Sequence, residues 1–153
     1  MKINPDRIHS SIIRIYAYLN KDTKKYKSEE RHIMKTAFPD FMLQEDNEVV
    51  TDTMAGGMRG HVFDGANGMQ MVIWDSPAGP GYCKRHSHDY GEYCLILNGE
   101  YRLILDGKEE IMLRPGDETY IAPGVEHEGW YTEGYRSIDC FEKKRFTRKA
   151  DKE

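Results

Sequence analysis

Four residues of the chain are of the types that bind a divalent metal, and their spacing can bring them together. His86 and His88 are two positions apart, so in an extended segment both side chains project to the same face. Glu92 follows at an even offset and can point to that face if a strand resumes before it. His127 comes shortly after the turn dipeptide Pro123-Gly124, so it is predicted to open a later strand.

Three imidazoles and one carboxylate on a rigid β-scaffold suit a divalent transition metal. Such a set leaves coordination positions open for water or substrate, which structural zinc sites do not. We therefore predict that these four residues bind one divalent ion. Zinc, nickel, iron and manganese all suit these ligands, so the sequence does not fix which metal it is. The other histidines lack such partners and are interpreted as ordinary residues: His9, His32 and His61.

Short β-forming runs separated by turn dipeptides dominate the chain from about residue 48. The runs include MQMVIW, EYCLIL and RSIDCF, and the turns include Asn98-Gly99 and Pro115-Gly116. Short strands spaced roughly 8 to 12 residues apart indicate an antiparallel sandwich or barrel. The clearest hairpin is LILDGKEEIML, because its Asp-Gly pair accepts the positive φ angles of a type I′ turn.

The first part of the chain, to about residue 38, has few glycines and many Lys, Glu, Ile and Tyr residues. Apolar residues at helical spacing predict a helix over 8–19, and a second is predicted over 28–37, where Ser28 can cap and Pro39 ends it. Two short helices bury little surface alone, so we expect them to pack on the barrel or on a partner chain. We divide the chain into a helical N-terminal extension, a β-barrel and a charged C-terminal tail: 1–45, 46–146 and 147–153.

Composition excludes several classes of function. The 153 residues suit one domain, and the net charge of -4 gives no global basic footprint for nucleic acid. The basic run over 143–149 is short and is interpreted as a solvated end. No apolar run reaches the roughly 20 residues that cross a membrane, and the N-terminus lacks the features of a signal peptide. The three cysteines are odd in number and form no CxxC pair, which indicates a reducing, cytoplasmic setting.

Two segments of the chain resemble the two sequence motifs of the cupin superfamily. The first is HSHDYGE at 86–92, followed by Gly99, and the second is RPGDETYIAPGVEH at 114–127. The resemblance implies a mainly β fold, a double-stranded β-helix or jelly roll, with a metal inside the barrel mouth. It places the family's metal ligands on His86, His88, Glu92 and His127. It also implies a small-molecule substrate and a homodimer, on which the α-helical N-terminal extension could pack.

The fold alone does not choose an activity, so other residues near the predicted site matter. Alternation over 135–141 places Ser137, Asp139 and Phe141 on one face, which points either into the barrel or into solvent. If it points inward, Asp139 is a candidate general acid or base near the metal. Arg145 either folds back to bind a substrate carboxylate or is a solvated tail residue.

A second resemblance covers roughly residues 54–146, from GGMRGHVF through NGMQMVIWDSPAG to SIDCFEKKR. These segments are similar to small single-domain cupins of pectin breakdown, which open the ring of unsaturated uronates. The resemblance implies that Asp139, Phe141 and Arg145 serve the reaction. Glu92 stands where those cupins usually have glutamine. Four aromatic residues are expected to line the substrate pocket or, as the alternative, to belong to the hydrophobic core: Phe141, Tyr101, Tyr120 and Trp130.

Two other classes of function stay open on the sequence alone. Three histidines and one glutamate also bind Fe(II) with room for O₂, which suits a dioxygenase. Cys94 lies two positions after Glu92 and can face the same interior as a ligand, an oxidation target or filler. The second class is a binding module that captures a sugar acid or another small anion without chemistry.

Overall fold

The computed structural model describes residues 37–51 and 54–152. The helix predicted over 8–19 lies outside these residues, as does the helix predicted over 28–37 apart from its last residue. His9 and His32 lie outside them too. None of the helices in the described part is both long enough and apolar enough to cross a bilayer.

Twelve β-strands, all paired antiparallel, make up about half of the described part of the chain. In chain order they are β1 (Val49–Val50), β2 (Met54–Ala55), β3 (Arg59–Asp64), β4 (Gln70–Asp75), β5 (Gly81–His86), β6 (Glu92–Asn98), β7 (Tyr101–Leu105), β8 (Glu109–Leu113), β9 (Glu118–Ile121), β10 (His127–Tyr131), β11 (Arg136–Phe141) and β12 (Thr147–Arg148). Short 3-10 helices span Asp40–Met42, Glu45–Asn47, Ala66–Gly68 and Lys149–Lys152.

Ten of these strands form two five-stranded sheets, in the orders β2-β5-β10-β7-β8 and β3-β4-β11-β6-β9. The remaining two, β1 and β12, form a separate two-stranded ribbon. Because the chain crosses between the sheets after β2, β4, β5, β6, β8, β9 and β10, the two sheets enclose one interior. This is the double-sheet jelly roll that the resemblance to cupins implied, and the mainly β fold class is confirmed.

Strand alternation decides which residues face that interior. In β11 the buried residues are Ser137, Asp139 and Phe141, and the residues between them are partly exposed. Apolar side chains fill the interior in two clusters. The first contains Cys94, Ile96, Leu103, Leu113, Ile121, Tyr131 and Tyr135, and the second contains Val62, Val72, Trp74, Phe141 and Phe146. The buried polar residues of β6, β10 and β11 are therefore set into an apolar core.

The hairpin predicted at Asp106-Gly107 joins β7 and β8. Asp106 has φ 49° and Gly107 has φ 66°, and Lys108 N donates to Leu105 O at 2.9 Å. Positive φ at both central residues defines the type I′ turn, whose twist matches the flanking strands. The predicted turn is confirmed.

Residues 145–152, called the C-terminal strap from here on, return from β11 to the start of the barrel. Thr147 pairs with Val50 and Arg148 with Val49 across the β1–β12 ribbon. Further along, Lys149 N donates to Glu48 O at 2.8 Å, so the strap continues along the chain that precedes β1. The segment that the sequence analysis assigned to a charged tail, 147–153, thus contains a short strand.

Candidate metal centre

The structure brings the four predicted ligands together at one end of the barrel, where the two sheets meet. His86 ends β5 and lies opposite His127, the first residue of β10, with an irregularity in the pairing just after His127. Glu92 begins β6 in the other sheet, and His88 lies in the loop that crosses between the sheets. One potential ligand atom from each of the four lies within 4.8 Å of the others.

Each of the three histidines is held by a backbone carbonyl only two residues away. His86 Nδ1 lies 2.7 Å from Lys84 O, His88 Nδ1 lies 2.5 Å from Tyr90 O, and His127 Nδ1 lies 3.0 Å from Val125 O. A carbonyl oxygen only accepts hydrogen bonds, so each Nδ1 carries the proton and donates it. The Nε2 lone pair of every ring is then the atom left for a metal.

The spacing of these atoms fits a bound cation. His88 Nε2 lies 2.9 Å from Glu92 Oε2, although in this tautomer both atoms are acceptors. Two acceptors that close need a proton or a cation between them, and ligands about 2 Å from one ion stand about 3 Å apart. His127 Nε2 lies 3.6 Å from the same oxygen and is buried with no hydrogen-bond partner among the described residues. The cluster therefore fits a single divalent metal.

The protonation states of the ligands also suit a metal. Burial lowers the pKa of His86 to about 4, so its ring is neutral near pH 7 and keeps a free lone pair. Burial would raise the pKa of Glu92, but the imidazoles of His127 and His88 beside it lower that pKa to about 2. Glu92 is thus a carboxylate, the form that coordinates metals.

Arg145 reaches the cluster from the C-terminal strap. Its Nη2 donates to His86 Nε2 at 2.6 Å, and its Nη1 donates to the hydroxyl of Tyr90 at 3.3 Å. Its guanidinium carbon lies 5.3 Å from the ring centre of Phe141 and 5.0 Å from that of Phe146. Of the two alternatives that the sequence left open for Arg145, the structure shows the folded-back one.

Gln70, which the sequence analysis did not single out, fixes the position of Arg145. Its side chain is 2% exposed, and its Oε1 accepts from the backbone N–H of Arg145 at 2.7 Å and of Phe146 at 2.8 Å. Its Nε2 donates to Phe146 O at 3.0 Å and to Asp64 Oδ1 at 2.9 Å. No spacing rule connects residues 70 and 145, so the sequence held no signal for this contact.

Tyr90 is the second residue that the sequence analysis missed. Its ring stacks on the His88 ring with centroids 4.4 Å apart and planes 5° apart. Its carbonyl orients the same imidazole, and its hydroxyl contacts Arg145. Tyr90 therefore positions one predicted ligand from two directions. Its place between His88 and Glu92 in the motif was the available signal.

Asp139 points into the barrel, which decides the second alternative that the sequence left open. It is 8% exposed and lines an inner cavity of about 40 Å³ together with His86, Glu92 and His127. On β11 its neighbour Phe141 pairs with Glu92, so Asp139 lies about two residues, or roughly 7 Å, deeper in the barrel. Burial, and then the charge of Glu92, raise the pKa of Asp139 to about 7.

The raised pKa of Asp139 predicts a pH-dependent stability in the metal-free protein. Its folded pKa of about 7 exceeds the ordinary 3.8, so its favourable contribution is complete below pH 3.8 and is lost as pH rises through 7. Asp139→Asn removes this loss, so the variant should gain stability over the wild type by up to about 1.4 kcal/mol per pH unit in that window. Thermal or urea unfolding from pH 4 to pH 8 measures the difference. A stability difference that stays constant with pH would contradict the assignment.

The four predicted pocket aromatics divide into two pairs. Phe141 and Tyr101 line the inner cavity. The prediction is wrong for Tyr120 and Trp130, which are 57% and 42% exposed and line neither this cavity nor the cleft outside it. On β10 the buried row is His127, Gly129 and Tyr131, so alternation turns Trp130 outward. Tyr120 likewise lies on the outward row of β9.

A larger open cleft of about 660 Å³, called the mouth cleft, lies outside the cluster. His86 and Arg145 line both the inner cavity and the mouth cleft, so they stand at the boundary between the two. Tyr90 and Lys152 line the mouth cleft but not the inner cavity. A ligand that enters from solvent therefore meets the metal cluster and Arg145 first.

Comparison with known proteins agrees with this fold. Residues 72–134 match the family model of the cupin domain. The structure of KdgF from Halomonas sp. is similar, with 19% identity, a TM-score of 0.52, and coverage of 69% of this chain and 90% of that one. An RmlC-like cupin from Shewanella frigidimarina has 19% identity and a TM-score of 0.51, with coverage of 76% and 94%. No curated protein matches the sequence.

Proposed function

We propose that this chain, whose residues 72–134 match the family model of the cupin domain, is a metal-dependent enzyme that opens the ring of an unsaturated uronate or a similar carboxylated sugar. The observation that carries the proposal is the position of Arg145. Its guanidinium lies 2.6 Å from one predicted metal ligand and lines a cavity together with the buried carboxylate of Asp139, so it can bind the carboxylate of a substrate there. The choice of a uronate as the substrate rests on the resemblance to cupins of pectin breakdown.

A divalent ion held by His86, His88, Glu92 and His127 would supply positive charge that binds and polarises a substrate oxygen. Arg145 supplies a planar fork for the substrate carboxylate. One lone pair on His86 Nε2 cannot accept from Arg145 and bind a metal at once. In the metal-loaded protein the guanidinium is therefore free to turn towards a ligand in the mouth cleft.

Asp139 is placed to move a proton from the inner side of the cluster. The inner cavity of about 40 Å³ has room for two or three waters, since one water needs about 10–15 Å³, and it is too small for a sugar ring. We therefore place the sugar in the mouth cleft and water beside Asp139. In the reaction a proton adds to one carbon of the ring double bond and the water oxygen adds to the other. The resulting hemiketal opens to a linear keto acid, and Asp139 exchanges the protons.

Asp139→Asn tests this function, because it keeps the shape of the side chain and removes the proton-transfer group. We expect a rate about 100-fold or more below the wild type, measured as loss of the absorbance of an unsaturated galacturonate, with metal content unchanged. Asp75→Asn, on the neighbouring strand β4 and outside the cavity, is the matched control. An undiminished rate in Asp139→Asn would rule out this mechanism.

An Fe(II)-dependent dioxygenase is the second candidate. The observation that favours it is a donor set of three nitrogens and one oxygen beside a cavity large enough for O₂. Cys94 lines that cavity, and burial raises the pKa of its thiol well above the usual range. It lies outside the group of four potential ligands. Oxygen uptake by the iron-loaded protein with a catechol or thiol substrate would support this candidate. Saturable binding of a sugar acid without turnover would instead support a binding module.

A further inference from the structure

We propose that the mouth cleft binds an acidic saccharide with two carboxylates, one at Arg145 and the other at Lys152, as in a chain of two uronate units. This rests on the proposed function in taking a uronate as the reacting unit. It adds a second sugar and a second carboxylate, which neither the fold nor the metal cluster requires.

The first argument is size. The mouth cleft of about 660 Å³ falls within the roughly 300–1,000 Å³ typical of small-molecule sites. The inner cavity, at about 40 Å³, can hold only water or a diatomic molecule. A ligand longer than one sugar therefore has space only on the outer side of His86 and Arg145.

The second argument is charge. The chain carries a net charge of -4, yet among residues 37–51 and 54–152 no Asp or Glu side chain lines the mouth cleft. Two basic residues do line it, Arg145 beside the four predicted metal ligands and Lys152 at the end of the strap. A cleft lined by positively charged side chains in a protein of negative net charge favours the binding of anions. Two separate positive charges favour a ligand with two anionic groups.

The third argument is the support behind these groups. Lys152 lies in the 3-10 helix Lys149–Lys152, whose first residue forms ion pairs with Glu45 and Glu48. Gln70 holds the other end of the strap at Arg145. Tyr90 and Phe146 line the cleft with aromatic rings, on which the apolar faces of sugars pack. The strap thus presents both cations along one anchored wall.

Binding of saturated uronides tests the inference, because these probes lack the ring double bond and cannot undergo the proposed reaction. Isothermal titration of the full-length protein with its bound metal would compare galacturonate, digalacturonate and the neutral disaccharide maltose. We expect digalacturonate to bind about three- to fivefold more tightly than galacturonate, the upper part of the range for one charged contact in a solvent-open cleft. Maltose should bind more weakly than both acids.

Lys152→Ala should bring digalacturonate and galacturonate to within about twofold of each other. Lys108→Ala is the matched control, because Lys108 is an exposed lysine in the β7–β8 turn that does not line the cleft. Equal binding of the two acids to the wild type, a preference that survives in Lys152→Ala, or maltose binding as tightly as digalacturonate would overturn the inference. Ring opening of a monomeric unsaturated uronate in the same preparation would show that the proposed function stands even then.

Discussion

Replacing His127 with alanine is expected to lower the affinity for a divalent metal by at least about 100-fold. Loss of a group that only orients a metal ligand already lowers the metal affinity by about 10- to 100-fold, so loss of the ligand itself should lower that affinity at least as much. His127 Nε2 is buried, lies 3.6 Å from Glu92 Oε2 and has no hydrogen-bond partner among the described residues. Its removal leaves the carboxylate of Glu92 without one of the two imidazoles that lower its pKa.

Two measurements check this result. Elemental analysis of protein purified without an affinity metal column or chelator should find near-stoichiometric metal in the wild type and little in His127→Ala. Added metal at 100 times the dissociation constant should stabilise the wild type by about 2.7 kcal/mol, and the variant far less. His61→Ala is the matched control, because His61 is also a buried imidazole but lies outside the cluster. Equal metal in His127→Ala and the wild type would refute the four-ligand site.

The identity of the metal then separates the candidate functions. Near-stoichiometric iron that is lost in His127→Ala would favour the dioxygenase function. Zinc, nickel or manganese lost in the same way would favour ring opening. No metal in either protein, even after incubation with divalent ions, would leave a binding module as the best account.

Replacing Gln70 with methionine is expected to cost at least about 3 kcal/mol of folding free energy while leaving the metal site intact. Methionine keeps the length of the side chain but offers no amide. The substitution leaves the N–H groups of Arg145 and Phe146 and the carbonyl of Phe146 without their partner. Each buried polar group left unpaired costs about 1–3 kcal/mol, and the strap that carries Arg145 loses its anchor.

Urea unfolding measures the cost, and a metal titration shows whether the cluster survives. Gln70→Met should bind metal within a few-fold of the wild type, because none of the four ligands lies on the strap, but it should bind galacturonate at least about tenfold more weakly. Gln44→Met is the matched control, since Gln44 is an exposed glutamine with one hydrogen bond, to Asp40 O. Unchanged galacturonate binding in a destabilised Gln70→Met would separate the strap from ligand binding.

The sequence by itself determined the features that depend on short-range geometry. The two-residue offset of His86 and His88, with the turn before His127, predicted the cluster that the structure brings together. The Asp-Gly pair predicted the β7–β8 turn. The regular spacing of turn dipeptides between short β-forming runs predicted an antiparallel arrangement, which the two sheets have. A local rule is enough for the shared face of His86 and His88 and for the turn, because the residues involved are close in the chain. The meeting of His127 with His86 depends on the pairing of β10 with β5.

Tertiary structure alone decided the features that join distant segments. Alternation placed Asp139 and Phe141 on one face, but only the packing of β11 between β4 and β6 turned that face inward. The outward turn of Trp130 depends in the same way on which row of β10 meets the core. The contact between Gln70 and Arg145 spans 75 positions. Sequence periodicity fixes which residues share a face but not what that face meets, because that depends on how the two sheets pack.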